Sequence, residues 1–148
     1  MKKNNMNIEL ENLILGEKLG SGVYRDVYIF KPDTTKVIKV AKDNPSARAE
    51  NLLAYKIYRK CICETPFEKW FAKIYDISDD GKYLVQERTE KFRKDKYPEK
   101  IPHFFTDTKY DNFGYVKGKG LVCIDYGCIS LYRAFTSRMS KAKWWEEV

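Results

Sequence analysis

Histidine is nearly absent from this chain: His103 is the single one in 148 residues, and the four cysteines, at 61, 63, 123 and 128, form no C-x-x-C pair. A structural zinc site takes four Cys or His ligands at close, regular spacing, so the cysteines read as buried free thiols and His103, beside Pro102, as a packing or surface residue. No apolar run approaches the ~20 residues that span a bilayer. The opening Met1-Lys2-Lys3-Asn4-Asn5 is followed by no apolar signal segment. These two absences lead to the expectation of a cytoplasmic protein with no membrane partner. Internal repeats and low-complexity linkers are also missing. With 43% hydrophobic and 15% aromatic residues, disorder is excluded. The length fits a single domain, 1–148, able to bury roughly 70% of its unfolded surface.

Acidic residues are in the minority, 21 against 28 Lys and Arg, for a net charge of +7. The excess falls in Lys91 to Lys100, at Lys117 and Lys119, and in Arg133 to Lys143. It is compatible with an acidic protein partner, with polyphosphate or with nucleic acid. No helix-turn-helix, zinc finger or RNA-binding aromatic motif accompanies it, which argues against nucleic acid.

What the chain does contain is Thr106-Asp107-Thr108-Lys109-Tyr110-Asp111-Asn112 and, thirteen residues after Asn112, Asp125-Tyr126-Gly127. Phosphoryl transfer needs a carboxylate to orient the attacking hydroxyl and hard oxygen ligands to hold a divalent cation against the phosphates. Asp107 is a candidate for the first role, Asn112 and Asp125 for the second. Phe113–Val116 and Leu121–Ile124 flank Lys117-Gly118-Lys119-Gly120 in the pattern of a hairpin, which brings Asn112 and Asp125 to one place. Clustering of Asp and Asn is also what turns favour, and that reading stays open. Upstream, Leu19-Gly20-Ser21-Gly22-Val23-Tyr24 sets two glycines between β-type runs, and Val37-Ile38-Lys39-Val40 follows as a short strand with one Lys. Glycine lets backbone amides approach phosphate oxygens, and a neighbouring Lys neutralises them.

On these residues, in this order, the sequence resembles the protein kinase-like family. Gly20, Gly22 and Val27 match its G-x-G-x-x-G-x-V loop, with Ser21 between the glycines. Lys39 matches the Lys of V-A-I-K, Asp107 to Asn112 match D-L-K-x-x-N, and Asp125-Tyr126-Gly127 matches D-F-G. The resemblance implies ATP with Mg²⁺ or Mn²⁺ as cofactors, Glu50 of the helix after Pro45 as the partner of Lys39, and an adenine-binding hinge at Glu87, Arg88 and Thr89. Lys109 stands two after Asp107, where Ser/Thr protein kinases carry Lys and aminoglycoside-type kinases carry His, so the implied acceptor is a protein hydroxyl. The compact layout is similar to kinase-like proteins encoded by viruses or phages.

The departures are specific. Arg25 stands in place of the third loop glycine, Phe105 and Thr106 replace the His-Arg before the catalytic Asp, and Tyr126 replaces Phe. Only seventeen residues, broken by Pro98 and Pro102, separate Thr89 from Asp107, and twenty-one follow Gly127 without an A-P-E triplet. The expected fold is therefore α+β: a kinase-like domain with an N-terminal lobe over 1–89 and a vestigial C-terminal lobe over 90–148. Residues 8–16 lead into a first strand; 17–24 and 26–31 form a hairpin; 36–41 carries Lys39; 46–60 is a helix. Residues 71–77 and 82–88 form a second hairpin about Ser78–Gly81, and 130–145 is a terminal helix with Leu131, Phe135 and Met139 on one face. Two functional readings stay open: an ATP-dependent Ser/Thr protein kinase, and a pseudokinase-like protein that binds nucleotide or a host or regulatory protein without turnover. The missing platform leaves room for a partner or for a second copy in a homodimer.

Overall fold

Short β-branched runs alternate with turn residues through most of the chain, and they fold as strands in a computed structural model that describes residues 5–91, 93–129 and 135–146. The architecture is α+β: a five-stranded antiparallel sheet, two α-helices and two smaller two-stranded sheets. The chain divides into two compact units, one of residues up to Lys56 with Lys73–Arg88, the other of Ile57–Ala72 with Thr89 onward. Among the described residues no helix is long and apolar enough to cross a membrane.

In the first unit, β1 (Leu15–Ser21), β2 (Arg25–Phe30), β3 (Lys36–Ala41), β4 (Ile74–Ile77) and β5 (Tyr83–Glu87) form one sheet in the order β1-β2-β3-β5-β4. The two hairpins and the Lys39 strand stand where the hydrophobic alternation puts them. The Ser78–Gly81 turn closes on Asp80, whose carboxylate accepts from the Lys82 amide at 3.0 Å. Gly81 is required there: its φ is +79°, and a Cβ would meet the Arg48 carbonyl at 2.6 Å.

Two helices belong to this unit. Helix α2 (Pro45–Ile57) starts with Asn44 accepting from the Ala47 amide at 2.8 Å and Pro45 in the first turn, a standard pairing of N-cap and N1 residues. Ala47, Asn51 and Ala54, spaced i, i+4, i+7, form its buried stripe. Helix α1 (Asn5–Ile14) corrects the sequence reading, which led residues 8–16 into a strand and allowed this sheet one helix. Ile8 and Leu10 alternate as a strand would, yet Met6, Leu10 and Leu13 recur at helical spacing. The helix is tied down by Glu11, which accepts from the Tyr83 hydroxyl at 2.8 Å and pairs with Lys82 at 3.5 Å. Such tertiary ties decide short ambiguous segments.

The second unit is built around aromatic rings. Phe71, Phe104, Phe105, Phe113 and Tyr126 are buried and pack with ring centroids 4.9–5.9 Å apart in successive pairs. Around them lie β6 (Lys100–Pro102), the hairpin of β7 (Phe113–Val116) and β8 (Gly120–Cys123), and β9 (Met139–Lys141), which pairs antiparallel with β6. The expected terminal helix is overturned where the tail is described: Met139–Lys141 is a strand and Ala142–Glu146 runs on without helix. Its backbone is satisfied by β6 instead, and His103 seals the pairing with Nδ1 2.6 Å from Ser140 Oγ. Leu131, on the expected helix face, lies outside the described residues.

Asn51 is wholly buried; its Nδ2 donates to the carbonyls of Gly81 at 3.0 Å and Lys39 at 3.3 Å, and its Oδ1 accepts from Arg25 at 3.1 Å. Removing it leaves buried partners unpaired. Asn51→Ala is expected to lower unfolding stability by about 2–3 kcal/mol, read as a fall in the urea midpoint at unchanged slope.

Candidate functional site

Asn112 holds the centre of the candidate site. It ends a single 3₁₀ turn, Tyr110–Asn112, and the next residue begins β7. Its carbonyl accepts two amides from the far end of the hairpin, Ile124 at 2.8 Å and Asp125 at 3.3 Å. Its side-chain nitrogen donates to the Asp107 carbonyl at 3.2 Å. The register Phe113↔Cys123 therefore brings together Asp107, Asn112 and Asp125, the first and last of them eighteen positions apart in sequence.

Each carboxylate is held by backbone. Asp125 opens a second 3₁₀ turn and accepts from the Gly127 amide at 3.0 Å. Asp107 accepts from the Lys109 amide at 3.3 Å, while the amides of Thr106 and Asp107 both donate to the Cys128 carbonyl, at 2.8 and 3.3 Å. Residues on both sides of Asp125 thus fix the loop that carries Asp107. Asp107, Asn112 and Asp125 are all half-buried, shielded yet open to solvent.

The departures from the kinase-like pattern have local explanations. Phe105 stands where the anchoring His would be and packs into the aromatic core, 5.4 Å from Phe71 and 5.2 Å from Phe113 by ring centroid. Tyr126 uses its added hydroxyl, which donates to the Ala72 carbonyl at 3.0 Å; burial holds that phenol well above the ordinary tyrosine pKa. Sequence reasoning missed the third support, the tail. Trp145 accepts from the Tyr110 amide at 2.9 Å and donates its own amide to the Thr108 carbonyl at 3.2 Å, and the Thr108 hydroxyl donates to the Lys143 carbonyl. Trp144 donates its indole N–H to Pro98 at 2.8 Å, and Lys109 lies over the Trp145 ring at 5.8 Å. The paired tryptophans are the signal the sequence offers for a docked tail, and the expected helix over 130–145 does not lead to these backbone bonds.

In the first unit Gly20 and Ser21 end β1 and Gly22 begins the turn to β2. No Cβ clash and no positive φ demands glycine at either position: Gly20 has nothing within 4 Å of an added Cβ, and Gly22 only the Arg25 carbonyl at 3.7 Å. The Ser21 hydroxyl donates to Asp26 at 2.5 Å and Lys18 stands 3.5 Å away, which together hold the Asp26 carboxyl below its ordinary 3.8. Val27 faces Lys39 across the β2–β3 ladder, and Lys39, only 7% exposed, also pairs with Leu84 of β5. Among the described residues it is Asn51, and not its neighbour Glu50, that links α2 to the backbone of this strand. Arg25 turns its guanidinium to Asn51. Glu87 accepts from the Lys73 amide at 3.1 Å, so its carboxylate closes the β4–β5 hairpin.

Thr89 belongs to the second unit. It lines a cavity of about 370 Å³ with Tyr97, Tyr110, Phe113 and Ile124, and an added Cβ on Gly114 would meet its hydroxyl at 2.5 Å.

The donor set suits a hard cation shared with a ligand. Among the described residues no group of three or more His, Cys, Asp or Glu side chains is arranged to hold a metal by itself. One carboxylate and one carboxamide oxygen are what Mg²⁺ uses when phosphates and water complete its shell. With the Asn112 nitrogen committed to Asp107, the carboxamide oxygen is the end turned away from that bond.

Neither the protein-family models nor the curated proteins contain a match to this chain.

Because Asp26 is depressed, its stabilising contribution is complete above pH 3.8 and is lost as the pH falls through its lower folded value. Acid unfolding of Asp26→Asn is expected to show a shallower dependence on pH below 3.8 than the parent chain, followed by circular dichroism.

Proposed function

We propose that this protein is an ATP-dependent phosphotransferase with a reduced protein kinase-like fold, acting as a Ser/Thr protein kinase on a protein hydroxyl. The observation that carries this reading is the convergence of Asp107, Asn112 and Asp125 through the Asn112 carbonyl and carboxamide. A turn-forming cluster needs hydrogen bonds only to itself; here the loop of Asp107 and Asn112 is tied to the far end of the β7–β8 hairpin, so that two carboxylates and a carboxamide share one region.

In this reading the half-buried Asp107 accepts a hydrogen bond from the acceptor hydroxyl and takes its proton as the phosphoryl group is transferred. Lys109, two residues on, neutralises the charge developing on the transferred group. Asn112 and Asp125 present hard oxygens to Mg²⁺ or Mn²⁺, which when bound offsets the charge of the phosphates. Lys39 contributes a cation from an inner strand, where the residue as a whole is 7% exposed. Gly20 and Gly22, unexplained by packing or φ, allow the backbone at the end of β1 and in the turn that follows to come close to phosphate, with Ser21 between them. Glu50 is the residue by which α2 would hold Lys39 in the productive state, and Glu87 and Thr89 offer backbone groups to the adenine.

One observation favours a second reading, nucleotide or partner binding without turnover. The Thr108–Tyr110 edge is already bonded to Trp145, so an acceptor peptide cannot pair with that stretch unless the tail leaves. The partner would then be a host or regulatory protein, or a second copy.

Incubation with γ-labelled ATP and Mg²⁺ or Mn²⁺, alone and with generic substrate proteins, separates the two. Label transfer is expected, and Asp107→Ala and Asp125→Ala are each expected to reduce it at least about a hundredfold while circular dichroism stays unchanged. A folded wild-type protein that binds nucleotide but moves no label under any condition would falsify the kinase reading.

A further inference from the structure

We infer that Cys123 and Cys128 form a reversible disulfide that closes across Asp125. The two residues are wholly buried, and their sulfurs lie 2.7 Å apart. That is within about 0.7 Å of a disulfide bond length. Cys123 ends β8 and Cys128 ends the 3₁₀ turn that Asp125 opens, so the link spans the Asp125-Tyr126-Gly127 turn. Cys61 and Cys63, the other two thiols, stand apart: Cys61 is exposed and Cys63 half-buried.

Two hydrogen bonds explain why oxidation would be felt beyond the sulfurs. The Cys123 thiol donates to the Asp125 carbonyl at 3.1 Å, and the Cys128 carbonyl holds the amides of Thr106 and Asp107. A disulfide has no S–H, so the first bond is lost on oxidation. The second is tied to a residue that must move to close the link. The positions of both carboxylates therefore depend on the redox state of one pair.

The oxidant is a small-molecule disulfide of the glutathione class. A cysteine thiolate attacks one sulfur of the oxidant and releases one thiol; the second cysteine then attacks the mixed disulfide and releases the other. The two cysteines lose two electrons and two protons, and one oxidant molecule becomes two thiols. Both sulfurs are buried, so they meet the oxidant when the turn opens. Exposed Cys61 reacts sooner. Once either buried sulfur is caught, its neighbour is already in place, and the closed pair persists.

The test equilibrates the full chain with mixtures of oxidised and reduced glutathione, alkylates it and maps peptides without reduction. The expected product is a Cys123–Cys128 cross-link, two hydrogens lighter, reversed by dithiothreitol and still formed in the doubly substituted Cys61→Ala/Cys63→Ala chain. Cys123 and Cys128 recovered as alkylated thiols, or each carrying glutathione, after Cys61 has been fully oxidised would overturn the inference. The effect on catalysis rests on the proposed function: oxidation of the double variant is expected to lower label transfer at least tenfold, restored by dithiothreitol. A cross-link in a chain that never transfers label supports this inference and counts only against the kinase reading; a cross-link that leaves transfer unchanged overturns the coupling to Asp125.

Discussion

A single backbone carbonyl, that of Asn112, organises the second unit. By accepting the amides of both Ile124 and Asp125 it fixes the far end of the β7–β8 hairpin, and by the same residue's carboxamide it fixes Asp107. Buried or half-buried backbone groups must be paired, so each of these bonds is an obligation of the chain as well as a positioning device. The polar residues of the candidate site are placed by these backbone hydrogen bonds.

The aromatic core is the second constraint. A chain with so little sequence between Thr89 and Asp107 has no room for a layer of long helices, and ring-to-ring packing of Phe71, Phe104, Phe105, Phe113 and Tyr126 does the work of burying surface instead. The loop carrying Asp107 is held from three sides: by Phe105 in that core, by the Cys128 carbonyl and by the tail through Trp145. In the first unit an analogous role falls to Asn51, a neutral buried amide that joins α2, β3, the β4–β5 turn and Arg25.

The proposed chemistry and the thiol pair meet at the Asp125 turn. A cation-binding carboxylate works best when its main chain is rigid, and here rigidity comes in part from a thiol hydrogen bond that oxidation removes. In the inference drawn above, two sulfurs drawn together by the same turn would give that rigidity a chemical control.

Much of the fold was legible along the chain because the relevant signals are local. Alternating apolar residues with Gly, Asp and Ser between them set out β1 to β5, β7 and β8; the apolar spacing after Pro45 announced α2; and the spacing of Asp107, Asn112 and Asp125 across a hairpin pattern anticipated their meeting. The sequence could not decide α1, where Ile8 and Leu10 fit either period and the ties from Tyr83 and Lys82 to Glu11 settle the matter. Nor could it decide the tail, whose apolar spacing suits a helix but whose backbone pairs with β6 and with the Asp107 loop. Composition and local periodicity determine which residues can form an element and which chemistry they carry. Pairings between distant segments, such as Asn51 with Gly81 or Trp145 with Thr108, exist only once the chain has closed, because their free energy comes from burial that no local window contains.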